Sequence, residues 1–187
     1  MKLNYENMSD DELFKLMNDK KEIAEKAFSE LYNRYSGKIY SYCRRFLGDI
    51  SLAKDIFQDT FLKFYNISKE EKEMPNVSAY LLTIAHNLCI NAKKREKSHY
   101  EIEDYMVTTI DTRHENDELL DLIHHAMELL PDEYKEVFIL REYQGLSYQE
   151  TSEILHIPPT TVKIRLFRAR NKIREILAPY LADLSKY

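Results

Sequence analysis

The sequence predicts an all-α fold, with two helical domains joined by an acidic linker and a helix-turn-helix in the C-terminal domain. Apolar residues recur every three or four positions through most of the 187 residues, which is the period of an amphipathic helix. Three glycines and five prolines leave few turns, and 32% of the residues are charged. Together these features favour a helical, soluble protein with few strands.

The first domain, residues 1–97, is predicted to contain four helices. The apolar spacing places them over residues 9–17, 22–47, 52–65 and 77–94. The first helix opens with a capping box, in which Ser9 and Glu12 satisfy each other's backbone N–H. Gly48 suits the position after the second helix, because glycine adopts the left-handed conformation there at little cost. A polar loop over residues 68–75 precedes the fourth helix.

The helical pattern lapses over residues 98–114, which are predicted to form the linker. From Ser98 to Asp121 the chain carries eight acids and one base, so like charges repel and extend the segment. The net charge of −5 therefore conceals two basic clusters, at residues 93–97 and 163–174. Local potential steers a polyanion, so these clusters are compatible with a nucleic-acid partner.

The second domain, residues 115–187, begins with two predicted helices. The first helix has apolar residues at helical spacing, namely Leu119, Leu122, Ile123, Ala126 and Leu129. Pro131 starts the next helix and Gly145 ends it.

A short helix, a tight turn and a basic helix follow Gly145. Ser147 and Glu150 form a second capping box. The turn falls before Pro159, because proline keeps its predecessor out of the α conformation and itself suits the first helical position. The last helix then carries one apolar stripe, formed by Val162, Leu166, Ala169, Ile173 and Leu177.

The other faces of this last helix are strongly basic. They carry Lys163, Arg165, Arg168, Arg170, Lys172 and Arg174, against the single acid Glu175. Such a helix can lie in the major groove while its cations meet phosphates. An ordinary surface helix with a solvated face is the alternative, but solvated faces usually mix both signs of charge. The spacing and the sign bias together favour DNA binding.

Several runs of the sequence resemble the extracytoplasmic-function (ECF) group of bacterial sigma factors. GLSYQETSEIL and TTVKIRLFRARNKIRE resemble sigma region four. AFSELYNRYSGKIYSYCRRFLGD, AKDIFQDTFLKFY and SAYLLTIAHNLCINAKKREK resemble sigma region two. The resemblance implies a protein that binds core RNA polymerase and directs promoter-specific transcription initiation. Its implied partners are the clamp helices of the β′ subunit, promoter DNA and, as in many members, an anti-sigma protein.

The resemblance also implies three groups of site residues. Contacts to the −35 element fall on Thr160, Thr161, Lys163, Ile164, Phe167 and Arg168. Contacts to the −10 element fall on Tyr80, Asn87, Lys93, Lys94 and Arg95. There the ring and the amide would receive unstacked bases, while the cations would hold phosphates. Docking on polymerase falls on Asp55, Gln58 and Asp59.

Some of these residues also have a purely structural interpretation. The acidic group near Asp55 fits a solvated helix face, and Tyr80 fits core packing. Ile164 stands where the family commonly has serine, so an apolar contact, such as one to a thymine methyl, replaces a hydrogen bond to a base. Thr83 stands where many members have arginine, so the phosphate contact of that arginine is not carried over.

No residue pattern indicates an enzyme, a cofactor or a metal centre. The six histidines show no H-E-x-x-H spacing, and the chain has no glycine-rich phosphate loop. Cys43 and Cys89 lie in apolar-patterned helices and are expected in the core. The N-terminus lacks the form of a signal peptide, and no apolar run approaches the ~20 residues of a membrane span, so a cytoplasmic location is expected.

Two other functions fit the residue pattern alone. An autonomous repressor or activator would bind duplex DNA by itself, usually as a symmetric dimer, with an effector domain at residues 1–97. A helical adaptor would instead use the basic stripe to bind an acidic protein.

Overall fold

The structure is a computed structural model in which residues 4–71, 73–100 and 118–184 are described. Within these ranges every regular element is a helix, as the sequence predicts. The chain divides into two compact units, Met1–Lys94 and Arg95–Tyr187.

The described residues up to 100 form a 3-10 turn and four α-helices. They are the turn Tyr5–Asn7, α1 Asp10–Leu16, α2 Lys21–Leu47, α3 Ile50–Ile67 and α4 Val77–Tyr100. The capping box of Ser9 and Glu12 is confirmed, and Gly48 ends α2 with a φ of 78°. The side chain of Asp49 accepts a hydrogen bond from the Leu52 N–H, so α3 begins two residues earlier than predicted.

Helix α4 is longer than its predicted span of 77–94. The basic run at its end contains neither glycine nor proline, so nothing in the backbone stops the helix before Tyr100. Residues 98–100, predicted as the start of the linker, are therefore helical. The remainder of that predicted linker, residues 101–114, lies outside the described residues.

Aromatic side chains fill the core of the first unit. Phe14 of α1 packs on Phe64 of α3, with ring centroids 5.7 Å apart. Tyr42 of α2 is fully buried, and its hydroxyl lies 3.1 Å from Nδ1 of His86 on α4. Because a buried polar group must be paired, this contact explains how a histidine is accommodated in the core.

The described residues 118–184 of the second unit contain four further α-helices and one π-helical segment. They are α5 Glu118–Glu128, α6 Asp132–Phe138, the π-helical segment Ile139–Tyr143, α7 Tyr148–Leu155 and α8 Pro159–Leu184. Helix α8 packs against α5, α6 and α7. It therefore lies at the centre of the packing within this unit.

Helices α7 and α8 form the predicted helix-turn-helix. The capping box of Ser147 and Glu150 is confirmed, and His156 ends α7 in the left-handed conformation, with a φ of 53°. The Ser152 hydroxyl donates to the Ile157 carbonyl at 2.6 Å and closes the turn. Helix α8 begins at Pro159, as predicted.

The predicted apolar stripe of α8 is confirmed. All of its members are buried, namely Val162, Leu166, Ala169, Ile173 and Leu177. The prediction for Leu129 is wrong, because α5 ends at Glu128 and the Leu129 side chain is 53% exposed. Once a helix ends, its spacing no longer carries the next residue to the packed face.

Candidate nucleic-acid interface

The outward face of α8 carries apolar side chains in contact with solvent. Ile164 is 52% exposed and Phe167 is 65% exposed, and Thr160 is also exposed, whereas Thr161 is partly buried. Exposed apolar side chains on a rigid basic helix gain free energy from burial against another surface. The structure thus brings most of the residues predicted for the −35 element onto one side of the helix.

The cations of α8 fall into two groups. Arg165 and Arg170 are paired with glutamates of the same unit. The exposed cations without a carboxylate partner among the described residues are Lys163, Arg168, Lys172 and Arg174. This second group retains its charge for an external anion, and the sequence pattern alone did not separate the two groups.

Two of these exposed cations contact aromatic side chains. The Lys163 ammonium lies 5.5 Å from the centroid of the Tyr148 ring, and one guanidinium nitrogen of Arg168 lies 3.3 Å from the Tyr134 hydroxyl. A phenol is a neutral partner, so Arg168 can exchange it for a base or a phosphate at small cost. Both cations are held near the outward face and remain available.

A row of polar side chains follows one side of α4. Tyr80, Asn87 and Lys94 are seven residues apart, which is nearly two helical turns, so they share one face over about 21 Å. Asn87 and Lys94 are exposed, and Tyr80 is partly buried. Asn91 is exposed on the same face, and the resemblance did not single it out, although its spacing of four from Asn87 could have done so.

The other two basic residues predicted for α4 differ from each other in position. Arg95 is exposed close to the row that contains Lys94. Lys93 lies on a different side of the helix, where its ammonium is 4.8 Å from the centroid of the Phe46 ring. The side chain of Lys97, which the resemblance also implies as a phosphate contact, lies outside the described residues.

The residues predicted to dock on polymerase form one exposed patch on α3. Asp55, Gln58 and Asp59 are all exposed, and the intervening Ile56 is buried. Leu62 adjoins them, one turn further along, and is 60% exposed. The resemblance did not single out Leu62, but its position off the buried side of α3 could have indicated it. The patch thus combines two acids, an amide and an apolar side chain.

The two cysteines lie in the core of the first unit, as predicted. Both are fully buried, and a hydrogen bond with Cys43, together with burial, raises the pKa of the Cys89 thiol. Such a thiol stays protonated and is a poor nucleophile. Across the described part of the chain no three side chains of the metal-ligating types come together, and no helix has the length and apolar character of a membrane span.

Comparison with protein families matches both halves of the chain. Residues 31–99 match the model of Sigma-70 region 2, and residues 120–173 match that of Sigma-70 region 4. The first match includes α3 and nearly all of α4, and the second includes the helix-turn-helix.

Curated relatives match over most of their length. The chain is 33% identical to the ECF RNA polymerase sigma factor SigW of Bacillus subtilis, over 81% of this chain and 89% of the relative. It is 31% identical to the ECF RNA polymerase sigma-E factor of Haemophilus influenzae, over 83% and 90% respectively.

Solved structures share the fold. The sigma factor RpoE from Bartonella quintana, crystallised with the anti-sigma factor NepR, gives a TM-score of 0.73 at 22% identity, over 82% of this chain and 98% of that one. CnrH in complex with the cytosolic domain of CnrY gives 0.69 at 20% identity, over 91% and 99%.

Proposed function

Because the chain belongs to the ECF group of RNA polymerase sigma factors, which direct promoter-specific transcription initiation, we propose that three of its surfaces divide this work. The patch on α3 docks on core polymerase, the row on α4 receives the −10 element, and the outward face of α8 reads the −35 element. The protein performs no catalysis itself, since polymerase supplies the chemistry. The proposed domain bounds are residues 1–97 and 115–187, with the linker between them at 98–114, of which residues 98–100 continue helix α4.

The exposed pair Ile164 and Phe167 beside the cations Lys163 and Arg168 is the observation that carries the proposal. A surface that presents both apolar groups and unpaired positive charge suits the major groove, where thymine methyls lie between two lines of phosphates. Thr160 and Thr161, at the start of α8, add hydroxyls that can bond to base edges or phosphates.

The row on α4 suits single-stranded DNA. Unstacked bases bind to aromatic rings and amides, and the backbone then follows a line of positive charge. Tyr80 and Asn87 supply the ring and the amide, Asn91 supplies a second amide, and Lys94 and Arg95 supply the charge. Lys93 joins the phosphate contacts only if its ammonium leaves the ring of Phe46.

The patch on α3 suits a basic protein surface. Asp55 and Asp59 attract cations and set the orientation of docking. Leu62 offers apolar surface that is removed from water on binding. The clamp helices of the β′ subunit are the proposed partner. Since the sigma factor RpoE from Bartonella quintana was solved with the anti-sigma factor NepR, we include such a regulator among the partners.

The autonomous repressor is not favoured. Its effector domain would be expected at residues 1–97, but residues 31–99 match sigma region 2 and carry the two surfaces just described. Such a repressor would also bind its operator tightly without polymerase.

The test is reconstitution with core RNA polymerase followed by sequencing of transcript starts. Initiation is expected at a defined set of promoters that share a −35 and a −10 element. The isolated chain should bind those promoters weakly, because core polymerase supplies the spacing that lets both domains act together. Tight, sequence-specific binding by the isolated chain in a gel-shift assay would contradict the proposal.

A further inference from the structure

Two arginines of α8 stand at opposite edges of its buried stripe. On a helix that turns about 100° per residue, Arg165 lies about 80° from the middle of the stripe on one side, and Arg170 lies about 60° from it on the other. Ile164 lies about 180° away, at the middle of the outward face. Both arginines therefore lie at the edges of the packed stripe. Lys163 also lies about 80° from the middle of the stripe, and the glutamate partners of Arg165 and Arg170 are what distinguish the two arginines from it.

Each of these arginines is paired with carboxylates in the preceding elements. Arg165 contacts Glu133 at 2.9 Å and Glu136 at 3.2 Å, both on α6. Glu136 is 8% exposed, so its charge requires a partner. On the other edge, Nη2 and Nε of Arg170 contact one oxygen of Glu142, in the π-helical segment, at 2.5 and 3.2 Å.

We propose that Arg165 and Arg170 are positioning residues, which fix the rotation of α8 about its axis and make no contact with promoter phosphates. Apolar contacts along the stripe are non-directional and resist a small rotation weakly. Ion pairs at both edges oppose rotation in opposite senses, because each is directional and weakens as its atoms separate.

Rotation of α8 decides which side chains enter the groove. In the wild-type orientation of α8 about its axis, Thr160, Ile164 and Arg168 face away from the packed stripe. A helix free to roll would present several sets of side chains and would discriminate less between −35 sequences. This inference rests on the proposed role of α8 at the −35 element.

The more exposed of these ion pairs, Arg170 with Glu142, can be tested by swapping its two charges. Arg170→Glu alone places two acids together and should reduce transcription from a −35-dependent promoter about threefold to fivefold. Arg170→Glu combined with Glu142→Arg restores the attraction and should return activity to within about twofold of wild type. Failure of the exchange to restore activity, in a variant that melts as wild type does, would overturn the proposal.

The salt dependence of closed-complex formation by the holoenzyme provides the second measurement. Each phosphate contact adds about one unit to the slope of log affinity against log salt. Arg165→Gln and Arg170→Gln should leave the slope unchanged while they broaden the −35 preference, and Arg165→Lys should preserve the preference. A slope lowered by about one unit in either glutamine variant would instead assign that arginine to DNA.

The variant Lys163→Ala distinguishes failure of this proposal from failure of the proposed role of α8 at the −35 element. Lys163 is exposed and has no carboxylate partner among the described residues, so its removal should lower the slope by about one unit. If Lys163→Ala changes neither the slope nor the dependence on the −35 element, α8 does not contact DNA, and both the proposed function of α8 and the positioning roles are wrong.

Discussion

The ammonium of Lys163 lies 5.5 Å from the centroid of the Tyr148 ring, so the first residue of α7 contacts the second turn of α8. The guanidinium carbon of Arg141, in the π-helical segment, lies 4.1 Å from the same centroid. Both distances are within the range of cation–π attraction. Tyr148 thus links the two helices of the helix-turn-helix through a residue proposed to touch DNA.

The Tyr148 ring should therefore restrict the position of Lys163. Tyr148→Leu removes a cation–π contact of about 0.5–1 kcal/mol and should weaken −35-dependent promoter binding by the holoenzyme about twofold to fivefold. Tyr148→Phe retains the ring and should bind as wild type does. The decisive measurement is the double variant with Lys163→Ala, in which Tyr148→Leu should have no further effect. Additive losses would indicate that the two residues act independently.

Arg168 and Arg174 should have different effects on promoter choice. Arg168 is exposed on the outward half of α8, whereas Arg174 lies toward the far end and bonds to Asn171 at 3.3 Å. A base contact discriminates by about 1–3 kcal/mol, while a phosphate contact affects all sequences alike. Transcription from a −35 mutant library should show relaxed preference for Arg168→Ala and a uniform, modest loss for Arg174→Ala. An unchanged preference profile for Arg168→Ala would mean that this part of α8 does not enter the groove.

Melting and docking should respond to different substitutions in the first unit. Tyr80→Ala and Asn87→Ala should leave assembly with core polymerase intact and reduce open-complex formation, because those side chains are proposed to hold unstacked bases. Asp55→Lys and Asp59→Lys should weaken assembly itself, since they reverse the charge of the patch on α3 that is proposed to dock. Assembly is measured by native gel, and opening by permanganate reactivity of the −10 thymines. Equal loss of assembly in all four variants would mean that the effects at Tyr80 and Asn87 result from structural damage.

Leu62 should contribute to docking in proportion to its exposed apolar area. Leu62→Ala should weaken assembly by about 1 kcal/mol, or about fivefold, and leave the stability of the isolated chain within about 0.5 kcal/mol. Ile50→Ala is the matched control. Ile50 is an exposed apolar residue of the same helix, at 52%, but it lies about 140° around the axis from Asp55. Similar weakening by both variants would place the docking surface elsewhere on the first unit.

Tyr35 should make stability sensitive to alkaline pH. Burial and a hydrogen bond donated to Asp10 raise the pKa of Tyr35 above its usual value. In the unfolded chain the pKa of tyrosine is about 10. The stabilisation that protonated Tyr35 contributes is therefore fully present below that pH, and it is lost as the pH rises toward the higher pKa of the folded state. Tyr35→Phe should lower the free energy of unfolding by about 1 kcal/mol at pH 7 and by less at pH 10.5.

Urea unfolding at the two pH values provides that measurement. Tyr180→Phe is the control, because Tyr180 is 49% exposed and should show no such difference. A stability decrement for Tyr35→Phe that is the same at both pH values would contradict the role assigned to the Tyr35 hydroxyl.

The sequence by itself determined the helices and the packed face of α8. The capping boxes at Ser9 and Ser147 need only residues three apart, and the stripe from Val162 to Leu177 needs only helical spacing, so both are local properties of the chain. The family resemblance added the three candidate surfaces. Local spacing failed at Leu129, because the end of α5 is set by how the chain turns toward α6, and at Tyr100, because no residue stops α4 earlier.

Only the tertiary structure decided which charged and apolar side chains remain available at those surfaces. In the sequence the cations of α8 look alike, but the glutamates that pair with Arg165 and Arg170 are about 30 residues away and meet them only after folding. Likewise, Lys93 looks the same as Lys94 until the packing of α2 and α4 brings its ammonium over the ring of Phe46. Pairing across distant segments depends on three-dimensional proximity, which no local pattern of residues specifies.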